Sequence, residues 1–391
     1  MEFSSRVSGL EAERAFEVMA RARALEASGL DVIHLGIGEP DFETPDNIRQ
    51  AGMRAIGDGQ TRYTPAVGMA ELREVIAEDA GRRRGISIRP SQVVVSPGAK
   101  PPIILAALAL IEPGRGDEVI LPDPGYPADR AAGAVAGCIP APAPLLEEHG
   151  FSFDFDQFER LVNPRTRLII LNTPGNPTGG VIPAADLERI AGLARRYDCW
   201  VISDEIYSRI AFDGLQVPSI AALPGMAERT IVVDGFSKTY SMTGWRLGYG
   251  IMPEALADRI QILLNHSVGC NAHFTQAAGI EALLGTQESV DEMRAEYERR
   301  RDCLTAGLNA IPGVRCSIPQ GSFYAFPNVS AFGRPSAELA NLLLEEAGVA
   351  LVPGTAFGDY GEGYLRVAFT TSLEKIEQGI ERMGRFFRTV L

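Results

Sequence analysis

Between residues 90 and 252 the chain alternates short apolar, β-branched runs with segments whose apolar positions recur at helical spacing. Val93–Ser96, Val119–Leu121, Leu168–Leu171, Trp200–Ser203, Ile231–Val233 and Leu247–Ile251 read as strands, and Ala184–Tyr197 is one of the helices between them. Strands that are apolar throughout, separated by helices, predict a mostly parallel sheet covered on both faces. After residue 285 the pattern changes. A long charged helix over Glu288–Ala310 precedes short strands near Val314–Ser317 and Ser322–Pro327, a helix over Ser336–Ala347, strands near Val349–Val352 and Tyr364–Phe369, and a last helix from Leu373. Residues 11–28 space Phe16, Met19, Ala20 and Leu25 as one more amphipathic helix, expected to pack on this second unit. The expected organisation is a large α/β domain over residues 45–285 and a smaller α+β domain built from 1–44 and 286–391.

Charge and cysteine usage narrow the functions open to such a chain. Lys+Arg is 37 against Asp+Glu 50, a net charge of −13, which disfavours nucleic acid and anionic membranes as partners. The one compact basic run, Arg82-Arg83-Arg84, reads as a solvated helix end. The cysteines, 5 in number and without a CxxC pair, argue against a disulfide framework or a zinc ribbon and for free thiols in a reducing cytoplasm. The N-terminal stretch lacks the apolar core of a signal peptide, and Ile103–Ile111, the longest apolar run, is too short to span a bilayer. A cytoplasmic protein is expected.

In open parallel α/β sheets ligands bind at the carboxyl ends of the strands, so the residues just past each strand matter most. Pro97-Gly98-Ala99-Lys100 opens a helix after the first, a turn able to present backbone N–H groups to a phosphate although GxxxxGK[ST] is absent. The next four strand ends carry Asp123-Pro124-Gly125-Tyr126, Asn172 to Gly180 with two asparagines among its turn residues, Asp204-Glu205-Ile206-Tyr207, and Ser237-Lys238 followed by Gly244-Trp245-Arg246. Each alone is compatible with a cap or a solvated side chain. Together they supply an anion cradle, a flat ring, an amide, a carboxylate and an amine, which is what pyridoxal phosphate requires.

On these motifs, together with Gly36-Ile37-Gly38-Glu39-Pro40-Asp41-Phe42, Tyr63-Thr64-Pro65, Asn176-Pro177-Thr178-Gly179 and Tyr364-Leu365-Arg366, the sequence resembles the fold-type I, class I/II aminotransferases over nearly its whole length. The resemblance lies with the subgroup that contains many bacterial aspartate and aromatic aminotransferases. It implies a mostly parallel seven-stranded sheet with helices on both faces, pyridoxal 5'-phosphate as cofactor, and ping-pong transfer of an amino group from an L-amino acid to a 2-oxo acid. Lys238 matches the Schiff-base lysine, Asp204 the acid at the pyridine nitrogen, Tyr207 and Asn176 the donors to the ring oxygen, and Tyr126 the stacking ring. Gly98, Ala99, Lys100, Ser237 and Arg246 match the phosphate site, which Tyr63 of the neighbouring subunit completes in a homodimer with shared active sites. Arg366 matches the arginine that takes the substrate α-carboxylate, with Gly38 and Asn176 beside it.

Departures from the family pattern concern substrate choice. A lysine at the position of Lys100 can pair with a distal carboxylate in related aspartate enzymes, but the Ser/Thr segment that assists it is replaced here by Glu13-Arg14-Ala15-Phe16. Asn265 to His273 is atypical and is expected to border the neighbouring active site. His266 and His273, seven apart, are read as structural residues on one helix face, with no metal implied. The rival reading is a C–S lyase or other Cα/Cβ chemistry on the same scaffold. A transcription regulator would need a DNA-binding domain ahead of the core, a nicotinamide dehydrogenase GxGxxG, and a serine hydrolase GxSxG; none is seen.

Overall fold

The computed structural model describes Ser4, Arg6, Leu10 and residues 14–390. The first strand, β1 (Ile33–His34), belongs to the smaller unit. The large sheet takes the next eight: β2 (Val93–Ser96), β3 (Glu118–Asp123), β4 (Ile139–Leu146), β5 (Ser152–Phe153), β6 (Thr166–Asn172), β7 (Trp200–Asp204), β8 (Thr230–Gly235) and β9 (Gly248–Ile251). Their order is β2-β9-β8-β7-β6-β3-β4-β5. Strands β4, β3, β6, β7 and β8 pair in parallel, whereas β9 runs antiparallel to both β8 and β2.

The apolar pattern of the strands is explained by what covers them. On one face Val94, Leu168, Ile170, Ile202 and Val233 pack with Ile103, Ala106, Leu256 and Ile260 from helices Lys100–Leu110 and Glu254–Asn265. On the other, Ile169, Leu171 and Val201 meet Leu187, Ile190 and Ala194 of helix Ala184–Tyr197. Burying such side chains stabilises the layer by roughly 1.5–3 kcal/mol each.

The sheet has eight strands rather than seven. Sequence reading passes over β4, in which Pro140, Pro142 and Pro144 fall at every second residue. Ile139 donates its N–H toward β3, to Asp117 O, so every second residue, each of these prolines, faces away from β3 where no ladder donor is needed. The short β5 then pairs only with the far end of β4, at Leu145 and Leu146.

In the smaller unit β10 (Tyr324–Ala325), β12 (Val352–Pro353) and β13 (Leu365–Ala368) form one sheet, ordered β10-β13-β12, while β11 (Val349–Ala350) pairs in parallel with β1. The run Val349–Val352 is thus split between two sheets, and the strand expected at Val314–Ser317 is reduced to an isolated bridge between Arg315 and Asn328. Helix Arg14–Ala27 buries Ala22 against Val32, Leu344 and Ala350, and Arg21 pairs with Glu345.

Candidate active site

The segment 36–42 lies across the loop that comes after β8. Gly38 O accepts from Lys238 Nζ at 2.8 Å, Glu39 accepts from the Thr243 hydroxyl, and Phe42 O accepts from the Ser241 hydroxyl. Asp41 anchors the segment's far end on Arg300 at 2.7 Å. A Cβ on Gly38 would sit 1.7 Å from the Tyr324 hydroxyl, so only glycine allows this approach.

Beneath the segment is a cavity of about 400 Å³, where the ends of β2, β3, β6, β7 and β8 converge. Lys238 and Asp204 both reach it. Burial lowers the Lys238 amine to about 8, with Arg366, Arg246 and Lys100 adding to the effect against the Glu39 carboxylate. Burial likewise pushes Asp204 up to about 7, helped by Asp234 and Glu205 and opposed by the Ile206 N–H, which it accepts at 3.1 Å, and by Lys238. Both shifts arise chiefly from burial, which disfavours the charged form of each group.

Arg366, at the centre of β13, donates to Asn176 Oδ1 at 2.9 Å and to Gly36 O at 2.7 Å. Its guanidinium lies 4.5 Å from the Tyr324 ring centroid and 4.7 Å from that of Phe357. Its Nε is buried without a partner. Tyr207 and Tyr324 bring their hydroxyls within 3.2 Å of each other, and burial raises the Tyr207 phenol well above its ordinary range. At the other end of the cavity, Arg246 occupies a left-handed backbone conformation, φ +54, uncommon for a non-glycine residue. It is held by Thr243 O at 2.9 Å, by Pro97 O at 3.2 Å, and through its own carbonyl by Asn271 at 2.8 Å. Gly98 lies beside it with φ +93, and a Cβ there would come within 2.5 Å of the guanidinium.

Of the residues singled out in the sequence, Gly38, Ala99, Lys100, Tyr126, Asn176, Asp204, Tyr207, Ser237, Lys238, Arg246 and Arg366 line this cavity. Gly98 lies behind Arg246, and Tyr63 is outside the cavity and 98% exposed. Phe16 lines it, whereas Glu13 lies outside the described residues. The histidines do not share a helix: His266 ends helix Glu254–Asn265 and His273 begins helix His273–Leu284. Among the described residues no group of three His, Cys, Asp or Glu side chains is placed to hold a metal. Sequence reading missed Glu39, Asn172, Thr243 and Tyr324 as lining residues. Glu39, Asn172 and Thr243 fall inside or next to the quoted motifs, whereas Tyr324 stands in the expected strand Ser322–Pro327 with no motif to mark it.

The basic run is not a solvated helix end. Behind Asp204, Arg84 is 4% exposed and pairs with Glu205 at 2.7 Å and Asp234 at 2.9 Å, while Arg83 spans Asp79 at 2.8 Å and Asp234 at 3.1 Å. Only Arg82 faces solvent. The run caps a helix, Ala70–Arg84, whose last turn is driven against the strand ends.

The donor set fits a flat, anionic, phosphate-bearing cofactor: an amine and a carboxylate, Lys238 and Asp204, reach one cavity with Arg246, and the cradle at Gly98 is open only because it lacks a side chain. Comparison with known proteins agrees. The family model for aminotransferase class I and II matches residues 30–383. An aromatic-amino-acid aminotransferase 2 of Thermococcus litoralis is 40% identical over 93% of each chain, and an aspartate aminotransferase of Pyrococcus horikoshii 39% identical over 98% of this chain and 96% of its own. The structure of Thermus thermophilus aspartate aminotransferase with maleate superposes with a TM-score of 0.94 at 35% identity, covering 100% of both chains. The chain belongs to the class I and II aminotransferases. It is a pyridoxal-phosphate-dependent transaminase, and lyase chemistry on this scaffold is not favoured.

Proposed function

We propose that Lys238 carries the cofactor as a Schiff base and moves the substrate α-proton, with Asp204 at the pyridine nitrogen, Tyr207 and Asn176 at the ring oxygen and Tyr126 against the ring face. The cofactor supplies the electron sink that makes the α-proton removable. Backbone N–H groups of Ala99 and Lys100, the Ser237 hydroxyl and Arg246 hold the phosphate, while Gly98, whose own N–H goes to Ser96 O at 2.8 Å, leaves room for it. Arg366 takes the α-carboxylate in a fork-to-fork pair, oriented by Asn176 and assisted by the Gly38 backbone. The observation that carries this reading is the shared cavity, in which a lysine lowered to about 8 is joined by Asp204 and the buried, incompletely paired Arg366. Tyr63, bare on this chain, reaches the phosphate of the neighbouring subunit in a homodimer. Residues 45–285 form the cofactor-binding domain, with 1–44 and 286–391 the smaller one, and the enzyme works in the cytoplasm. No helix among the described residues is long and apolar enough to cross a membrane.

Substrate choice is set by the lining beyond Arg366. Phe16, Ile37 and Ile103 are apolar, Lys100 is cationic, and Glu39 opposes a second carboxylate. An apolar pocket separates similar side chains by only about 1–3 kcal/mol per methylene. The enzyme therefore takes neutral and aromatic donors at least as well as aspartate, with 2-oxoglutarate or pyruvate as acceptor. Side-by-side kcat/KM for aspartate, alanine, methionine and phenylalanine tests this. A preference for aspartate above about a hundredfold would make Lys100 a dedicated anchor for a distal carboxylate and overturn it.

A further inference from the structure

Tyr324 touches both halves of the site. It lies on β10 and is 2% exposed. Its hydroxyl is 3.2 Å from that of Tyr207, itself 4% exposed, and the two rings meet edge to face with centroids 5.8 Å apart. Its ring face also meets the Arg366 guanidinium, 4.5 Å from the centroid. Register explains this second contact. Tyr324 pairs with Ala368, two residues along β13 from Arg366, so the two side chains leave the ladder on one face as diagonal neighbours. The backbone at Gly38 packs directly on the hydroxyl end of the ring, since a Cβ there would fall 1.7 Å from that oxygen.

Two hydroxyls in a hydrogen bond place one proton between them. If that proton were Tyr207's, Tyr207 would have none left to give the cofactor. We infer that Tyr324 is a positioning residue for both halves of the site: its hydroxyl donates to the Tyr207 oxygen, leaving the Tyr207 proton for the cofactor's ring oxygen, and its ring face sets the plane of the Arg366 guanidinium for the substrate α-carboxylate. A hydroxyl that accepts one hydrogen bond becomes a stronger donor in the next. On Arg366, Asn176 Oδ1 at 2.9 Å and Gly36 O at 2.7 Å each fix one nitrogen, and the aromatic contact fixes the plane that a two-pronged carboxylate pairing needs. The inference rests on the roles proposed for Tyr207 and Arg366.

The hydroxyl is tested by a double-mutant cycle on cofactor affinity, read from visible absorbance as cofactor-free protein is titrated. Tyr324→Phe should bind about fivefold more weakly than wild type, and Tyr207→Phe/Tyr324→Phe no more weakly than Tyr207→Phe alone. A loss from Tyr324→Phe that recurred in full on the Tyr207→Phe background would mean that the hydroxyl acts independently of Tyr207, as a purely structural group would. That result, or unchanged affinity in Tyr324→Phe, would overturn the proposal. The ring is tested with hydrocinnamate, a carboxylate with no amine to react, titrated into cofactor-loaded protein. Tyr324→Phe, which keeps the ring, should bind it as wild type does, and Tyr324→Met about fivefold more weakly. Equal binding by Tyr324→Met and wild type would overturn the part assigned to the ring. The underlying assignments fail differently: cofactor affinity unchanged in Tyr207→Phe would remove Tyr207 from the ring oxygen, and hydrocinnamate bound normally by Arg366→Leu would remove Arg366 from the carboxylate.

Discussion

Replacing Arg84 with Met tests whether the ion network behind Asp204 holds the strand ends in place. The methionine keeps the apolar length of the side chain but removes a guanidinium shared by Glu205 at 2.7 Å and Asp234 at 2.9 Å, all three side chains being no more than 5% exposed. Taking one partner from a buried pair typically costs 3–5 kcal/mol, because the charge left behind stays desolvated. Two compensations pull the figure to the low end. Asp234 keeps Arg83 at 3.1 Å, and Glu205 keeps the hydroxyls of Ser203 at 2.9 Å and Ser219 at 2.6 Å. A loss of about 3 kcal/mol near pH 8 is expected. Burial alone would raise Asp234, but Arg83 and Arg84 more than offset it and hold it below its ordinary value. Its contribution is therefore present above the unfolded pKa and lost as pH falls through the folded one. Without Arg84 that folded value rises, so the deficit should shrink as pH falls toward the ordinary carboxylate range, about pH 4. Urea unfolding of both proteins at fixed protein and cofactor concentrations measures it. A deficit under about 1 kcal/mol, or one equal at both pH values, would refute a structural role for the network.

Three further expectations concern the site. Because the Lys238 amine is lowered to about 8, the rate of cofactor uptake by cofactor-free protein should climb with pH and level off above about 8, and a climb continuing toward 10 would contradict its lowering by burial. Gly98→Ala places a methyl 2.5 Å from Arg246 at a φ of +93, so cofactor affinity, measured by equilibrium dialysis, should fall by at least about tenfold with little change in helix content by circular dichroism; unchanged affinity would remove Gly98 from the phosphate site. Mixing Lys238→Ala with Tyr63→Phe subunits should yield hybrids with one native site and partial recovery of activity, and no recovery after verified exchange would count against shared sites.

The large sheet and its strand-end chemistry were legible because both arise from local patterns: fully apolar runs, then loops whose composition exceeds what a turn needs. The parts that were not legible depend on long-range contact. The three prolines of β4 conceal a strand whose tolerance for them is visible only once Ile139 is seen to bond toward β3. Arg83 and Arg84 look like solvated charges until Glu205 and Asp234, more than a hundred residues away, are brought against them. Tyr324 enters the site only because β10 pairs with β13, which sets its hydroxyl against Tyr207 and Gly38. His266 and His273 fail as a shared face because the helix stops between them, and heptad spacing alone does not reveal a stop.

Transamination through Lys238 can be observed in a single half-reaction. Purified, cofactor-loaded enzyme is mixed with excess amino acid and no acceptor, and products per site are counted while visible absorbance is recorded. One equivalent of 2-oxo acid per site is expected, with no free ammonia or sulfide, loss of the visible band, and its return when 2-oxoglutarate or pyruvate is added; Lys238→Ala should give none of this turnover. Continued product formation without an acceptor, or full turnover by Lys238→Ala without added amine, would contradict it.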